Sequence, residues 1–302
     1  MEEAVDAALQ AGYRHIDTAT FYCNESAIGR ALKKWFDAGK LKREEVFIVT
    51  KLPNVGNRAE SVEKYLKKSL EALQVSYVDL YLIHHPGGLI EKGDELTPCD
   101  DKGKVLIDTT TDHVSLWKAM EAQVDAGRTK SIGLSNFNAR QVKRVVKNAR
   151  ILPANNQIEV HIYFQQKELV AFCRALDITV CAYGPLGSPG LIPFMKKEGL
   201  EVNKVPSVTP LTEPVVLNIA KKYKKSPAQV LLRHLIQRGI AVIPKSSNPK
   251  RIKENIDVFD FELTTDEMDD LNALDKGRRA RIFNESSQPF DAHPEFPYRD
   301  FY

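Results

Sequence analysis

The sequence predicts a closed (β/α)8 barrel within a single domain. Short apolar runs rich in Val, Ile and Tyr alternate with amphipathic segments of about ten to sixteen residues, which indicates βα units and a parallel sheet. No G-x-G-x-x-G turn follows a predicted strand, although an open dinucleotide-binding sheet would require one. Polar and charged residues stand at the carboxyl ends of several apolar runs, where barrels carry their chemistry. These observations favour the barrel over an open doubly wound sheet.

The individual elements follow from length and residue type. Segments that are short, apolar and rich in β-branched or aromatic residues predict strands at 15–19, 46–52, 78–84, 130–135, 155–161, 178–183 and 240–245. Longer amphipathic segments predict helices at 25–38, 60–73, 113–126, 139–149, 166–176 and 228–237. Gly39, Gly127 and Gly239 stand where helices are expected to end, because glycine accepts a left-handed conformation.

Composition excludes several classes of protein. The chain has 302 residues, 43% hydrophobic and 27% charged, and a formal charge of +3 that is spread along the sequence, so nucleic acid is not an expected partner. No apolar run approaches the roughly 20 residues that span a bilayer. The four cysteines lack metal-ligand spacing, and the chain starts with Glu2 and Glu3 rather than a targeting peptide. We therefore expect a reduced, cytoplasmic protein without a metal site, and a monomer because no apolar stripe suggests an obligate oligomer.

Ionisable residues follow three consecutive predicted strands. The run HIDTA ends near Asp17 and is followed by Tyr22, VFIVTKL carries Lys51, and VDLYLIHH carries His84. A buried lysine costs several kcal/mol (order of magnitude) unless it is paired, so Lys51 requires an anion nearby. Asp17 on the neighbouring strand is the predicted partner.

This pattern has a chemical interpretation. A cation beside a phenol favours the phenolate, so Lys51 is expected to lower the pKa of Tyr22 from its usual value of about 10 and make it a general acid. His84 is expected to hold a carbonyl oxygen with a ring N–H. Singly, each residue has an ordinary explanation: a helix cap, a solvent-reaching lysine, a packed tyrosine or a core histidine. Together, Asp17, Tyr22, Lys51 and His84 favour a site that polarises a carbonyl group.

Five ordered motifs extend this interpretation: GYRHIDTA, VDLYLIHHP, IGLSNFN, NNQIEVH and VIPKSSNPKRIKEN. With them the chain resembles the aldo-keto reductases, close to the aldose and aldehyde reductases, from residue 4 to about residue 275. The resemblance implies a barrel at 1–275 that transfers hydride from NADPH to an aldehyde or ketone, and a C-terminal substrate-pocket loop at 276–302. It implies that Asp17, Tyr22, Lys51 and His84 form the catalytic tetrad, and that Tyr22, His84 and His85 contact a small carbonyl substrate.

The segment IPKSSNPKRIKEN carries the features of an anion site. Asn248 is a good N-cap, Pro249 suits the first helical position, and Lys245 and Arg251 add positive charge beside the helix N-terminus. From the residues of this segment alone, a capped helix with a basic solvent face is the favoured explanation. By resemblance it binds the 2′-phosphate and adenine of NADPH, and two basic residues favour NADP over NAD. The matching positions are Lys245, Ser246, Asn248, Arg251, Glu254 and Asn255.

Further polar residues follow the middle strands. Ser135, Asn136 and Gln157 can offer hydroxyl and amide groups to one flat polar ligand, although loop capping is the ordinary explanation. The resemblance implies that they hold the nicotinamide carboxamide and that Tyr183 stacks on the ring. It also implies that a loop beginning with Pro185, Leu186 and Ser188 folds over the pyrophosphate.

Two long segments, 86–112 and 278–302, are predicted to border the barrel mouth, and by resemblance they shape the substrate pocket. His85 and Pro53 stand where related reductases often carry aromatic residues. A pocket with fewer aromatic walls and a lower affinity for flat aromatic inhibitors is therefore expected.

The sequence departs from the family pattern at its start. Related chains begin with a hairpin and a first barrel strand with a GLGTW-like motif, whereas this sequence begins in the first helix, so seven strands are predicted rather than eight. This departure keeps an alternative open: an NADP-binding barrel that is catalytically impaired or regulatory. A structural protein without a ligand is the least favoured alternative, because it leaves the tetrad and the basic segment unexplained.

Overall fold

A computed structural model describes residues 1–197, 199, 202, 208–283 and 291–299. Within these residues the chain forms two compact units. The first unit contains Met1–Asn156, Leu176–Ile178 and the C-terminal residues 291–299. The second unit contains Gln157–Ala175 and the described residues between 179 and 283. The single domain expected from the sequence stays a prediction.

The strands, in chain order, are β1 (His15–Asp17), β2 (Phe47–Leu52), β3 (Val78–Ile83), β4 (Gly88–Leu89), β5 (Ile107–Asp108), β6 (Thr129–Ser135), β7 (Asn155–Glu159), β8 (Thr179–Tyr183) and β9 (Ala241–Val242). The helices are α1 (Glu2–Gln10), α2 (Glu25–Asp37), α3 (Val62–Leu73), α4 (His113–Asp125), α5 (Ala139–Asn148), α6 (Lys167–Ala175), α7 (Leu191–Lys197), α8 (Pro214–Tyr223), α9 (Pro227–Gln237), α10 (Pro249–Ile256) and α11 (Thr265–Asn272). Each segment predicted as a strand overlaps one of these strands.

The first unit is built on the parallel strands β1, β2, β3 and β6, paired in that order. Lys51 on β2 lies opposite Leu82 on β3, and Leu82 lies opposite Gly133 on β6. The start of β7 lies beside β6, and a Cβ on Gly133 would come within 2.7 Å of the carbonyl oxygen of Asn155. Glycine at position 133 therefore allows the close approach of these two strands.

Helices α1 to α5 cover this sheet, each packing against the next. Their apolar faces include the buried residues Leu32, Leu66 and Trp117, and the strands bury residues such as Ile48. The Asp112 carboxylate caps α4 by accepting the N–H groups of Val114 and Ser115, and Asn138 caps α5. The first unit thus has its own core and regular helix ends.

The second unit contains the end of β7 followed by β8 and β9. The N–H of Val160 donates to the carbonyl of Tyr183 (3.3 Å), and Cys181 on β8 lies opposite Ala241 on β9. Helix α8 packs on α9 and α11, around a core that includes Val216 and Leu231.

Some predicted strands extend beyond the observed ones. The segment predicted at 240–245 contains only β9, because Pro244 has no N–H to continue the ladder after Ile243 donates to Ala182. The long connection at 86–112 contains the antiparallel pair β4 and β5, which the sequence did not predict. Within the described residues, no helix combines the length and apolar character that membrane crossing requires.

Candidate active site

The four predicted catalytic residues come together in the first unit, at the carboxyl edge of its sheet. Asp17 is the last residue of β1, Lys51 lies near the end of β2, and His84 directly follows β3. Tyr22 ends a short 3-10 turn, Thr20–Tyr22, that leads from β1 into α2. Parallel strands bring their carboxyl ends to the same edge, and this positions the four side chains.

Lys51 forms the buried centre of this group. Its side chain is fully buried and that of Asp17 is 9% exposed, and the ammonium group donates to the Asp17 carboxylate. It also donates to the carbonyl of Thr18 (2.9 Å) and lies 5.2 Å from the ring centre of Tyr22. The ion pair expected between Asp17 and Lys51 is therefore present, and it compensates part of the cost of burying the lysine.

The acidity of Tyr22 differs from the expectation. Burial is the largest effect on the pKa of Tyr22, and it raises that pKa. Lys51 lowers the pKa through its charge and a hydrogen bond, whereas the charge of Asp17 raises it. The net shift of the Tyr22 pKa is upward. The expected lowering by Lys51 is therefore outweighed, because desolvation disfavours the phenolate and Asp17 offsets part of the lysine charge. The side chain is 45% exposed, so water reaches part of it and limits this upward shift. Tyr22 keeps its proton at neutral pH, as a proton donor must.

His84 is held in its neutral form. Burial, followed by the nearby Lys51 charge, lowers the pKa of His84 to about 3. Its ring meets the Tyr22 ring edge-on, with centres 5.5 Å apart. Its buried Nδ1 makes no hydrogen bond to any residue that the structure describes. A neutral imidazole carries one N–H donor, which is the group that the predicted contact with a carbonyl oxygen requires.

His85 lies beside the C-terminal residues of the first unit. Its Nδ1 accepts the N–H of Gly87 (3.3 Å), and its ring contacts Phe296 (6.1 Å between centres) and Tyr298 (6.2 Å). The expectation of a less aromatic pocket did not include these two rings. The sequence indicated these rings only through the length of the segment 278–302. That length predicts a segment at the barrel mouth, but it does not predict a contact with His85.

The first unit also holds two of the predicted carboxamide residues. Ser135 ends β6, and Asn136 follows it in a left-handed conformation (φ 63°). The Asn136 amide donates to the carbonyl of His84 (2.9 Å) and to the Ser135 hydroxyl (3.2 Å), and it accepts the Tyr298 hydroxyl (3.0 Å). Asn136 thus links the loop after β3 to the C-terminal residues.

The remaining predicted cofactor residues belong to the second unit. Gln157 is buried on β7, and Tyr183 ends β8 with its ring edge-on to Phe283 (5.5 Å). A tight turn closed by the N–H of Gly187 and the carbonyl of Gly184 (2.9 Å) contains Pro185 and Leu186. Ser188 follows this turn with a positive φ of 46°.

The basic segment has the structure that the sequence predicts. The Asn248 side chain caps α10 by accepting the N–H of Arg251 (3.1 Å), and the Asn248 N–H donates to the Ser246 hydroxyl (3.1 Å). Lys245 and Arg251 are exposed, and neither forms an ion pair with a carboxylate in the part of the chain that the structure describes. Exposed cations beside a helix N-terminus suit a phosphate-bearing nucleotide.

Glu254 and Asn255, the last two predicted residues of that segment, differ in their surroundings. The Glu254 carboxylate lies 3.9 Å from the Lys250 ammonium, whereas Asn255 is buried. No group of His, Cys, Asp and Glu suitable for a metal ion occurs among the described residues.

Sequence reasoning missed one acidic residue close to the tetrad. Glu25, the first residue of α2, is buried, and its carboxylate accepts hydrogen bonds from Thr50 and Ser69. An acidic residue in the first turn is common because it favours the helix dipole, so the sequence gave no reason to place it inside the protein.

Comparison with known proteins identifies the family to which the chain belongs. The aldo/keto reductase family profile matches residues 1–276, so the chain belongs to the aldo/keto reductase family. The predicted (β/α)8 fold class is thereby confirmed. Members of the family generally use NADP(H), and the match supports carbonyl reduction as the general chemistry of the chain.

Individual relatives agree with this classification. Aldo-keto reductase family 1 member C3 of Homo sapiens is 41% identical over 302 residues, which cover 99% of this chain and 89% of that protein. Aldo-keto reductase family 1 member A1 of Gallus gallus is 43% identical over 308 residues, covering 100% of this chain and 91% of that protein. The structure of the aldose reductase from Schistosoma japonicum superimposes with a TM-score of 0.88 at 42% identity, covering 100% of this chain and 91% of that one.

Proposed function

We propose that the protein is an NADPH-dependent reductase of small aldehydes or ketones, with Tyr22 as the proton donor. The observation that carries this proposal is the arrangement of a protonated Tyr22 and a neutral His84 around the buried Lys51–Asp17 pair. Small carbonyl compounds are the substrates of the relatives' class, and this site has the donors that such substrates require.

In the proposed reaction, bound NADPH supplies the hydride. His84 donates its N–H to the carbonyl oxygen and orients the substrate, and His85 is proposed as a further substrate contact. Tyr22 transfers its proton to that oxygen as negative charge develops there. Lys51, held by Asp17 and the Thr18 carbonyl, stabilises the phenolate that remains on Tyr22.

The cofactor residues are part of the same proposal. Their groups fit the cofactor: amides and a hydroxyl for a carboxamide, an aromatic ring for stacking, a tight turn for the pyrophosphate, and exposed cations for the 2′-phosphate. The residues proposed for these contacts are Ser135, Asn136, Gln157, Tyr183, Pro185, Leu186, Ser188, Lys245, Ser246, Asn248, Arg251, Glu254 and Asn255.

The proposal is tested by the loss of NADPH absorbance when the purified chain is mixed with 4-nitrobenzaldehyde. Binding of NADPH is measured in parallel by quenching of protein fluorescence. Turnover supports the reductase. Binding without turnover selects the regulatory or impaired barrel, and an absence of binding rejects both.

Cytoplasmic location and a monomeric state belong to the proposal as well. The four cysteines, Cys23, Cys99, Cys173 and Cys181, are unbridged, as in a reducing compartment. Light scattering of the purified chain measures its mass, and a dimer would contradict the monomer.

A further inference from the structure

A buried carboxylate that the proposed reaction does not use lies next to the tetrad. Glu25 is three residues after Tyr22 and only 6% exposed. Its Oε1 accepts the hydroxyl of Thr50 (2.6 Å) and its Oε2 accepts the hydroxyl of Ser69 (3.1 Å). Because a buried carboxylate is costly even when it is hydrogen-bonded, its position calls for a physical role.

The contacts continue from Glu25 to both catalytic elements. The Ser69 hydroxyl lies 3.0 Å from the Thr20 hydroxyl, and the Thr20 hydroxyl lies 3.2 Å from the main-chain carbonyl of Lys51. Thr20 opens the turn that ends at Tyr22. One polar chain therefore joins the turn bearing the proton donor to the strand bearing the lysine.

The number of protons sets the direction of this chain. Each hydroxyl has one proton to donate, and an ionised carboxylate accepts from two hydroxyls at once. With Glu25 ionised, Thr50 and Ser69 both donate to it, so the Ser69 oxygen and the Lys51 carbonyl are both acceptors for Thr20, which shares its one proton between them in a three-centre hydrogen bond. A protonated Glu25, or an amide at this position, would itself donate a proton. One of the two hydroxyls would then have to accept instead of donating to residue 25.

The charged and titratable groups that face Glu25 come from two strands. Burial raises the pKa of Glu25, while its two hydroxyl donors and the Lys51 charge on β2 lower it in part. Tyr81 on β3 also faces it among the described residues, since the Glu25 charge contributes to raising the Tyr81 pKa. The Lys51 charge therefore favours the ionised form of Glu25.

We propose that Glu25 is a positioning residue of the reductase: its ionised carboxylate orders the hydroxyl chain that holds the Tyr22 turn against Lys51. The effect of Glu25 on catalysis rests on the proposed function. Its effect on the order of the Tyr22 turn rests only on the contacts described above. Because burial raises the Glu25 pKa, the order is lost as the pH falls through that raised value.

The kinetic test compares the full chain with Glu25→Gln across the acid range, using NADPH and 4-nitrobenzaldehyde. We expect kcat to fall roughly tenfold with an unchanged KM for NADPH, as for a lost oriented contact. The acid limb that Glu25 adds to the pH profile of kcat should disappear. Glu60→Gln, which changes an exposed carboxylate of the same unit, should match the parent. An unchanged kcat and pH profile in Glu25→Gln would overturn the inference.

A second readout does not depend on turnover. Amide hydrogen exchange at Tyr22 and Cys23, whose N–H groups bond to Ala19 and Thr20, reports the order of the turn. Glu25→Gln and Ser69→Ala should both speed this exchange several-fold, and Glu60→Gln should not. If the parent shows no turnover, the proposed function fails and the exchange rates alone decide the inference. Should Glu25→Gln not fold, Ser69→Ala decides it, and parent-like exchange in that variant contradicts it.

Discussion

The two units place their positively charged side chains in opposite environments. In the first unit, Lys51 and Asp17 are buried, paired and fixed before any ligand arrives. In the second, Lys245 and Arg251 are exposed beside the start of α10 and form no carboxylate pair among the described residues. A buried pair gives a fixed geometry at a cost in solvation, whereas exposed cations give attraction that salt weakens. In the function proposed above, the first unit supplies the reacting groups and the exposed cations of the second supply the contact with the 2′-phosphate.

The largest expected effect comes from breaking the buried pair. Lys51→Met leaves Asp17 almost buried without its partner, which should lower the free energy of unfolding by about 3–5 kcal/mol. Turnover should fall by a factor on the order of a thousand, because the phenolate loses its cation. Thermal unfolding and the NADPH assay measure the two effects.

A double variant sharpens this prediction. Asp17→Asn combined with Lys51→Met removes both charges, so it should recover part of the lost stability without recovering turnover. If the double variant were as unstable as the sum of the single variants, the two residues would not act as a pair.

The corresponding change in the second unit should affect attachment only. Lys245→Ala with Arg251→Ala should weaken NADPH binding by roughly ten- to a hundredfold and leave NADH binding unchanged, because only NADPH carries the 2′-phosphate. The parent's preference for NADPH should also decline with added salt. Lys250→Ala with Lys253→Ala on the same helix provides the control. Equal losses for both cofactors would remove the proposed phosphate contact.

A buried histidine in each unit makes the stability of the fold depend on pH. His84 has a folded pKa of about 3 against an ordinary value of about 6.5, so between these values the unfolded chain binds more protons. Stability from this group is therefore complete above pH of about 6.5 and declines as the pH falls, by at most about 1.4 kcal/mol per pH unit. His234 in the second unit, with a pKa of about 4, should behave likewise.

Substitution separates the two histidines. His84→Gln and His234→Gln should each flatten the decline of stability in acid, measured by urea unfolding at several pH values. Only His84→Gln should also reduce turnover at neutral pH. A parent-like acid slope in His84→Gln would show that this ring is not held neutral by its surroundings.

The smallest effect is expected where the C-terminal residues meet the proposed carboxamide site. Tyr298→Phe removes one hydrogen bond to the Asn136 amide, so NADPH binding should weaken only about two- to tenfold. Binding of 2′,5′-ADP, which lacks the nicotinamide, should not change. A loss for both ligands would mean that Tyr298 supports the fold rather than Asn136.

The sequence predicted the parts of the site that depend on local pattern. Apolar runs predicted the strands, and barrel enzymes carry their chemistry at the carboxyl ends of strands. Together these two facts predicted that one edge of the sheet holds Asp17, Tyr22, Lys51 and His84. The capped helix at Asn248 followed from residue types that act within one turn. Such features depend on neighbours in the chain, which a sequence shows directly.

Features that depend on burial or distant contacts were missed. The direction of the Tyr22 pKa shift is set by desolvation, and the inward position of Glu25 by Ser69, which is 44 residues away. Likewise, Tyr298 meets Asn136 across 162 residues of sequence. No local pattern encodes these contacts, because they exist only after the chain has folded.

The central claim is that Tyr22 gives the proton that completes reduction. It is tested most directly by a single turnover of 4-nitrobenzaldehyde with NADPH already bound, followed by absorbance in the parent, Tyr22→Phe and the control Tyr77→Phe. We expect the rate in Tyr22→Phe to fall by at least about a hundredfold with NADPH affinity unchanged, and Tyr77→Phe to match the parent. A Tyr22→Phe rate close to that of the parent would contradict the assignment of Tyr22 as the proton donor.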